Sequence, residues 1–236
     1  MKKKLTVLTL VTKSYIKILD NYFLPTLPKD IDTMKILYVN DLDNCRYSSV
    51  AKFLEKKRLE MIYEEIKANM GHNVMFIDAD VVFSAGANFK NEINDLLKEK
   101  DILFQYNDTW YNFGVFAINC NERTEQLFRH FLEKEIDKVK DIEYLHDQHQ
   151  INALLGFNHG ELHDPHEPVL VEKVFTHVKH GSLPQKYFGN HFIKKSYPAD
   201  TPEGVVLFHA TNTYSMSEKI YLLHDFKHKF YDRAKK

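Results

Sequence analysis

Residues 74–83 read Val-Met-Phe-Ile-Asp-Ala-Asp-Val-Val-Phe, a hydrophobic run that is interrupted by two carboxylates, Asp78 and Asp80. A buried strand that ends in this pattern predicts that both acids lie at the carboxyl edge of a sheet, where open α/β sheets bind their ligands. Because unpaired carboxylates beside such a run are costly, we expect a cation between them. Mg²⁺ or Mn²⁺, itself holding phosphate oxygens, suits oxygen ligands of this kind. A strand followed by an acidic turn without a metal would give the same sequence pattern, so the rest of the chain must distinguish the two interpretations.

Strands and helices alternate through the first eighty residues. Two β-rich segments, 5–12 and 35–39, precede the run above, and helices are predicted at 14–23 and 49–70. This alternation is typical of a parallel sheet with right-handed crossovers. We therefore predict an α/β protein in which helices flank a mostly parallel central sheet, with a Rossmann-like N-terminal half.

The rest of the sequence predicts fewer regular elements. Asn88 is expected to cap a helix, and Ser215 with Glu218 forms a capping box for a C-terminal one. A long stretch rich in His, Pro, Gly and aromatic residues, 156–202, is typical of a binding loop or lid. Further strands are predicted at 101–105, 113–118 and 204–208.

Composition excludes several classes of protein. Among the 236 residues, 44% are hydrophobic and 28% are charged, which is the profile of an ordinary globular protein. Since 32 basic side chains face 33 acidic ones, no overall field draws nucleic acid to the chain. The apolar segment 5–11 is too short for a transmembrane segment. Cys45 and Cys120 form no disulfide pattern, so we expect a reducing, cytoplasmic environment.

His209 repeats the logic of the two aspartates. A short apolar strand stops at this residue and enters a polar run, although any one of thirteen histidines is more often structural than a ligand. Imidazole suits Mn²⁺ better than Mg²⁺, and two carboxylates with one histidine leave coordination positions for phosphate oxygens and water. We therefore expect His209 to join Asp78 and Asp80 in binding the metal.

Two helices carry further polar candidates. If the helix that begins near Asp147 is regular, Gln148 and Asn152 lie one turn apart, where their amides could bracket sugar hydroxyls. Asp147 could instead simply favour the helix dipole. Lys57 falls on the apolar stripe of the long helix, where it either snorkels to the surface or meets an anion such as a diphosphate, and Arg58 could do the same.

Five short motifs, in their order and spacing, resemble those of the nucleotide-diphospho-sugar transferases. These are glycosyltransferases of the GT-A fold, akin to the glycogenin-like group, and the resemblance runs from Leu5 to about Tyr214. The motifs are Asp78-x-Asp80, Asn112-Phe113-Gly114, Asp147-Gln148-x-x-x-Asn152, Leu183-Pro184-x-x-Tyr187-Phe188 and Phe208-His209.

This resemblance implies one glycosyltransferase domain over residues 1–236, with a nucleotide-binding half (1–83) and a half for the donor sugar and the acceptor (84–236). It implies a UDP- or GDP-sugar donor, a glycan, protein or small-molecule acceptor, and Mn²⁺ (or Mg²⁺) bound by Asp78, Asp80 and His209. The resemblance implies donor binding by Val11, Thr12, Tyr15, Asp78, Asn112 and Gly114. The predicted donor-binding set also includes Lys57 and Arg58, from their helix position, with Ala79 and Asn152.

Asp147 and Gln148 are the implied catalytic residues. An inverting enzyme needs a carboxylate base, for which Asp147 is the best candidate, whereas a retaining one could use Asp147 or Gln148 to stabilise positive charge on the sugar. One departure is clear: the glycogenin-like group follows its metal-binding histidine with Gly and then Lys-Pro-Trp, and here residues 210–214 read Ala-Thr-Asn-Thr-Tyr.

Two other functions fit part of the pattern. Asp78-Ala79-Asp80 also matches the nucleophile motif of haloacid-dehalogenase-like phosphatases, in which Asp78 would be phosphorylated. No adjacent Asp-Asp pair follows it to complete their Mg²⁺ site. A non-catalytic carbohydrate-binding protein could use an aromatic cluster to stack on sugars. The members of that cluster are Tyr106, Trp110, Tyr111 and Phe113.

Overall fold

The computed structural model describes residues 3–40, 47–86, 88–107, 110–136, 147–156, 171, 173–189, 204–211, 213 and 215–233. Most of the predicted irregular stretch 156–202 lies outside these residues. The described strands are β1 (Leu5–Thr12), β2 (Thr33–Val39), β3 (Asn73–Ile77), β4 (Val81–Phe83), β5 (Ile102–Asn107), β6 (Trp110–Asn119), β7 (His180–Ser182), β8 (Tyr187–Gly189) and β9 (Leu207–His209).

Six strands form a central sheet in the order β2-β1-β3-β6-β5-β7. β1 pairs in parallel with β2 and β3, and β7 pairs in parallel with β5. β6 is the exception, since it runs antiparallel to both of its neighbours. The predicted α/β class with a mostly parallel sheet is therefore confirmed. A second, smaller sheet has the order β4-β9-β8.

Helices cover the central sheet, and their bounds follow the sequence predictions closely. The described α-helices are α1 (Ile16–Ile18), α2 (Leu24–Thr26), α3 (Tyr47–Ala68), α4 (Phe89–Leu96), α5 (Glu122–His130), α6 (Asp147–Leu154) and α7 (Met216–Lys227). A 3₁₀ turn (Lys13–Tyr15) and a π-helical turn (Leu19–Phe23) join α1 and α2 to β1, and π-helical turns also follow α5 (Phe131–Glu135) and α7 (His228–Asp232).

Two of these helices test the predicted caps. The Ser215 hydroxyl accepts the Glu218 backbone N–H at 3.1 Å and so caps α7. Asn88 stands at the N-terminus of α4, but its side chain caps no backbone group and instead accepts from Asn91. None of the described helices has both the length and the hydropathy that a bilayer-spanning helix needs.

Successive residues of β3 enter two different hydrophobic clusters, as the two-residue period of a strand requires. Val74 and Phe76 pack in one cluster with α3, while Met75 and Ile77 pack in the other with α4 and the small sheet. The central sheet is thus buried on both faces, which explains why β3 reads as a continuous apolar run.

The buried face of α3 differs from the predicted stripe. Leu59, Ile62 and Ile66 are fully buried, whereas Phe53 is 43% exposed. Apolar residues occur all round this helix, so periodicity alone selected the wrong face. The prediction that placed Lys57 on the core-facing stripe was wrong for the same reason.

The run 74–83 is two strands in two sheets. β3 ends at Ile77 in the central sheet, and β4 begins at Val81 in the small sheet, so that Asp78-Ala79-Asp80 is the crossing between them. Backbone hydrogen bonds fix this crossing at both ends: Asp78 N–H donates to the Gly114 carbonyl at 2.7 Å, and Ala210 N–H donates to the Asp80 carbonyl at 3.0 Å.

Candidate active site

Asp78, Asp80 and His209 meet at the junction of the two sheets. His209 Nε2 lies 3.4 Å from Asp80 Oδ1 and 3.7 Å from Asp78 Oδ2. One ligand atom from each side chain lies within 4.8 Å of the others, a separation that a single metal ion can bridge. The pairing of Val81 with His209 in the small sheet produces this proximity across more than a hundred residues. The donor set of two carboxylates and one imidazole fits Mn²⁺.

The two carboxylates have opposite electrostatic environments. Burial and the neighbouring Asp80 raise the pKa of Asp78 to about 6, against the opposing effect of Arg58. Burial also acts to raise the pKa of Asp80, but the charge of His209 in its protonated form and the Lys219 ammonium hold it well below its usual range. Asp80 is therefore the permanently charged member of the pair.

Lys219 was not predicted from the sequence, and it enters the site from α7. Its ammonium pairs with Asp80 Oδ2 and lies 5.4 Å from the centre of the Tyr15 ring. The pKa of Lys219 is raised although burial lowers it, because Asp80 and Tyr15 favour the charged form. Since Lys219 occupies Oδ2, the other oxygen of Asp80 is the one that faces His209.

Gly114 has the site packed directly against its backbone. A Cβ atom added there would lie 2.7 Å from His209 Cε1 and 3.0 Å from Asn112 Oδ1, and it would collide with Asp78 Oδ2. Asn112 Oδ1 also accepts the Gly114 N–H at 2.8 Å. Both predicted pocket residues thus lie at the Asp-Asp-His cluster, where only a glycine leaves room for the three side chains.

Arg58 approaches the cluster from α3, whereas Lys57 does not. Arg58 Nη1 lies 3.7 Å from Asp78 Oδ1. Its Nε, at 2.9 Å, and its Nη2 both donate to one oxygen of Asp147, Oδ2. Lys57 is 40% exposed and pairs with Glu60 at 2.7 Å. Of the two predicted cations, Arg58 is the one that the structure brings to the aspartates.

The polar residues of α6 are used largely within the protein. Gln148 Oε1 accepts the Phe113 N–H at 3.0 Å. Asn152 is fully buried, and its amide bonds both the N–H and the carbonyl of Tyr111, each at 2.9 Å. Asp147 is only 1% exposed and is held by Arg58. These contacts fix β6 beside the cluster, and a direct sugar contact by any of the three stays a prediction.

The residues that were predicted around the nucleotide lie near the cluster to different degrees. Tyr15 contacts Lys219 and so lies beside Asp80. Thr12, at the end of β1, shares a hydrogen bond of 3.0 Å with Ser14. Val11 and Ala79 are buried, at 1% and 3% exposure. Nucleotide contacts by these residues stay predictions.

The sequence of the chain matches one protein family over most of its length. The profile of the nucleotide-diphospho-sugar transferases matches residues 56–223, well over half of the chain and including every member of the Asp-Asp-His cluster. The chain therefore belongs to the nucleotide-diphospho-sugar transferase family, and it is an enzyme of the glycosyltransferase class. No curated protein matches the sequence significantly.

Solved glycosyltransferases share the fold. One is a glycosyltransferase involved in the glycosylation of the major capsid of PBCV-1, with a TM-score of 0.56 at 12% identity over 94% of this chain and 99% of that one. The glycosyltransferase GlyE of Streptococcus pneumoniae TIGR4 gives a TM-score of 0.50 at 17% identity, and its apo form gives 0.52 at 14%. The match covers 96% of this chain but 64% of GlyE.

Both alternative functions fail against these findings. The phosphatase hypothesis needs no histidine beside Asp78, yet His209 completes the cluster, and the family match is to transferases. The match to a family of enzymes also opposes the hypothesis of a non-catalytic carbohydrate-binding protein. Tyr111 is 6% exposed and Phe113 is 1% exposed, and both stack within the core. The side chains of Tyr106 and Trp110 lie outside the described residues.

Proposed function

We propose that the protein is a metal-dependent glycosyltransferase that moves a sugar from a UDP- or GDP-sugar to an acceptor hydroxyl. The observation that supports this proposal is the convergence of Asp78, Asp80 and His209 on one point at the junction of the two sheets. We also propose one domain over residues 1–236. The cytoplasm is the proposed location, because the buried thiol of Cys120 is free, as is typical in a reducing compartment.

The charges of the site suit cleavage of a sugar–diphosphate bond. Three carboxylates, those of Asp78, Asp80 and Asp147, face two permanent cations, Arg58 and Lys219. A bound Mn²⁺ or Mg²⁺ would supply Lewis-acid stabilisation of the diphosphate leaving group and would make the cluster net positive. The ammonium of Lys219 adds positive charge on the same side, where the leaving group gains its charge. Lys219 thus offers the diphosphate a cation, which residues 210–214, directly after His209, do not.

We propose a role for Asp147 other than that of the base in an inverting enzyme, because its carboxylate is buried and ion-paired with Arg58. We propose that Asp147 orients Arg58, whose guanidinium packs over the Phe113 ring at 5.1 Å. Gln148, which braces the backbone of Phe113, would hold the adjacent wall of the donor-sugar pocket.

Metal removal tests this proposal. We expect the purified protein, incubated with a panel of UDP- and GDP-sugars, to hydrolyse or transfer at least one donor in the presence of Mn²⁺. EDTA should abolish that activity, and excess Mn²⁺ should restore it, because the leaving diphosphate loses its main counter-charge without the ion. Full activity in EDTA would contradict metal dependence, while inactivity with every donor under all conditions would count against the transferase assignment itself.

A further inference from the structure

Gln105 is a buried polar residue within β5, at the point where the apolar part of that strand stops. It follows Ile102, Leu103 and Phe104 in β5 and has no exposed surface. The pairing of β5 with β6 shifts register between Phe104 and Gln105. Such irregularities beside active sites redirect side chains. Since burying an amide without hydrogen-bond partners is destabilising, both ends of this side chain need hydrogen bonds.

Both ends of the Gln105 amide have partners in the small sheet. Nε2 donates to the Tyr187 carbonyl at 3.0 Å, and Oε1 lies 2.8 Å from His209 Nδ1. The carbonyl can only accept, so it fixes which end of the amide carries the N–H₂ group. The amide oxygen is therefore the atom that faces the imidazole, and the hydrogen-bond partners fix this orientation.

The same reasoning fixes the proton on His209. An amide oxygen can only accept, so Nδ1 must carry the hydrogen that joins the two groups. In the neutral imidazole the lone pair then lies on Nε2, which is the atom that faces Asp78 and Asp80. Without a partner at Nδ1, the histidine could adopt the other tautomer, or turn, and would present no lone pair to the cluster.

We propose that Gln105 is a positioning residue for the metal centre. Gln105 holds His209 in the Nδ1-protonated form, so that Nε2 coordinates the ion. This inference rests on the proposed function, because it assumes that a metal binds at the cluster. Gln105 also links the two sheets. It belongs to the central sheet, whereas Tyr187 is the first residue of β8 and His209 the last residue of β9 in the small sheet. Groups that orient a metal-binding histidine typically change metal affinity about 10–100-fold when removed.

Gln105→Met tests the inference, because methionine has nearly the same shape but accepts no strong hydrogen bond. We expect its affinity for Mn²⁺, measured by calorimetry, to fall about 10–100-fold. Gln150→Met is the matched control: Gln150 is also buried and donates to a backbone carbonyl, that of Glu135, at 2.8 Å. This control should lose a similar amount of thermal stability and keep the Mn²⁺ affinity of the parent. Equal Mn²⁺ affinity in Gln105→Met and the parent would overturn the inference.

The tautomer itself can be observed. Long-range ¹H–¹⁵N spectra of the ¹⁵N-histidine-labelled protein, loaded with diamagnetic Cd²⁺ and assigned with His209→Gln, should show His209 protonated on Nδ1. Gln105→Glu keeps an acceptor oxygen and should preserve this state, whereas Gln105→Met should lose it. A parent protein with His209 protonated on Nε2 would overturn the inference even if Gln105→Met did not fold.

The two proposals fail separately in these experiments. A parent that binds neither Mn²⁺ nor Cd²⁺ refutes metal dependence, and with it the metal-orienting role of Gln105. A parent that binds the metal, but does so with His209 protonated on Nε2 or with unchanged affinity in Gln105→Met, refutes only the role of Gln105.

Discussion

Asp80→Asn should abolish metal-dependent donor binding and lower kcat/KM by about 10³-fold. The substitution keeps the size of the side chain but removes the carboxylate whose charge His209 and Lys219 maintain. Because Asp80 lies in the crossing between the sheets and its backbone carbonyl still accepts from Ala210, the fold should persist. Calorimetric titration of Mn²⁺ and UDP, alongside steady-state kinetics with the active donor, measures the effect.

Asp32→Asn provides the control for Asp80→Asn. Asp32 also pairs with a lysine, Lys90, at 2.6 Å, and accepts a backbone N–H, that of Leu5 at 2.7 Å. It lies just before β2 and accepts from the first residue of β1, at the opposite edge of the sheet from the cluster, so its loss should leave nucleotide binding unchanged. Wild-type Mn²⁺ dependence in Asp80→Asn would remove Asp80 from the site.

Gly114→Ala should disable the cluster through volume alone. The new methyl group would lie 2.7 Å from His209 Cε1, closer than carbon atoms approach without displacement. His209 is buried and held by Gln105, so Asp78, whose side chain is 35% exposed, is the group that can move. We expect Mn²⁺ affinity to fall at least about 10-fold and kcat/KM about 10²-fold, with a smaller loss of thermal stability.

Gly181→Ala is the matched control for Gly114→Ala. Gly181 also lies in the central sheet, in β7, but a Cβ atom there would lie 3.3 Å from Leu103 Cδ2 and 3.6 Å from the end of Lys100. Both neighbours are tips of flexible side chains that can yield. A Gly114→Ala protein that binds Mn²⁺ as tightly as Gly181→Ala would show that the space beside Asp78 is not needed for the ligands.

Strand ends were the most informative feature of the sequence. Asp78 and His209 each stand at the end of a short apolar run, and the fold brings both to one point because β4, which follows Asp80, pairs with the strand that ends at His209. Gln105 ends an apolar run in the same way, so the same rule, applied to every strand, would have identified it. The Gln105 amide is not itself a metal ligand, so the chemistry of metal ligands alone does not single it out; only its hydrogen bond to His209 does.

Helix faces were predicted less well because their burial depends on the rest of the fold. The apolar residues of α3 are distributed around the whole helix. Only the packed structure shows that Leu59 and Ile62 face the core while Phe53 does not. No local sequence pattern marks Lys219. It lies on α7, and only the packing of α7 against the rest of the fold brings it to Asp80, 139 positions away. The pairing of Arg58 with Asp147 likewise joins residues 89 positions apart.

The most direct test of the metal centre is an anomalous scattering map from crystals of the protein grown with Mn²⁺ and UDP. The proposed site predicts a manganese peak about 2.0–2.4 Å from His209 Nε2 and from an oxygen of Asp80, with Asp78 bound directly or through water and the diphosphate on the open side. UDP bound with no peak between these residues, or with manganese held by other side chains, would contradict the central claim.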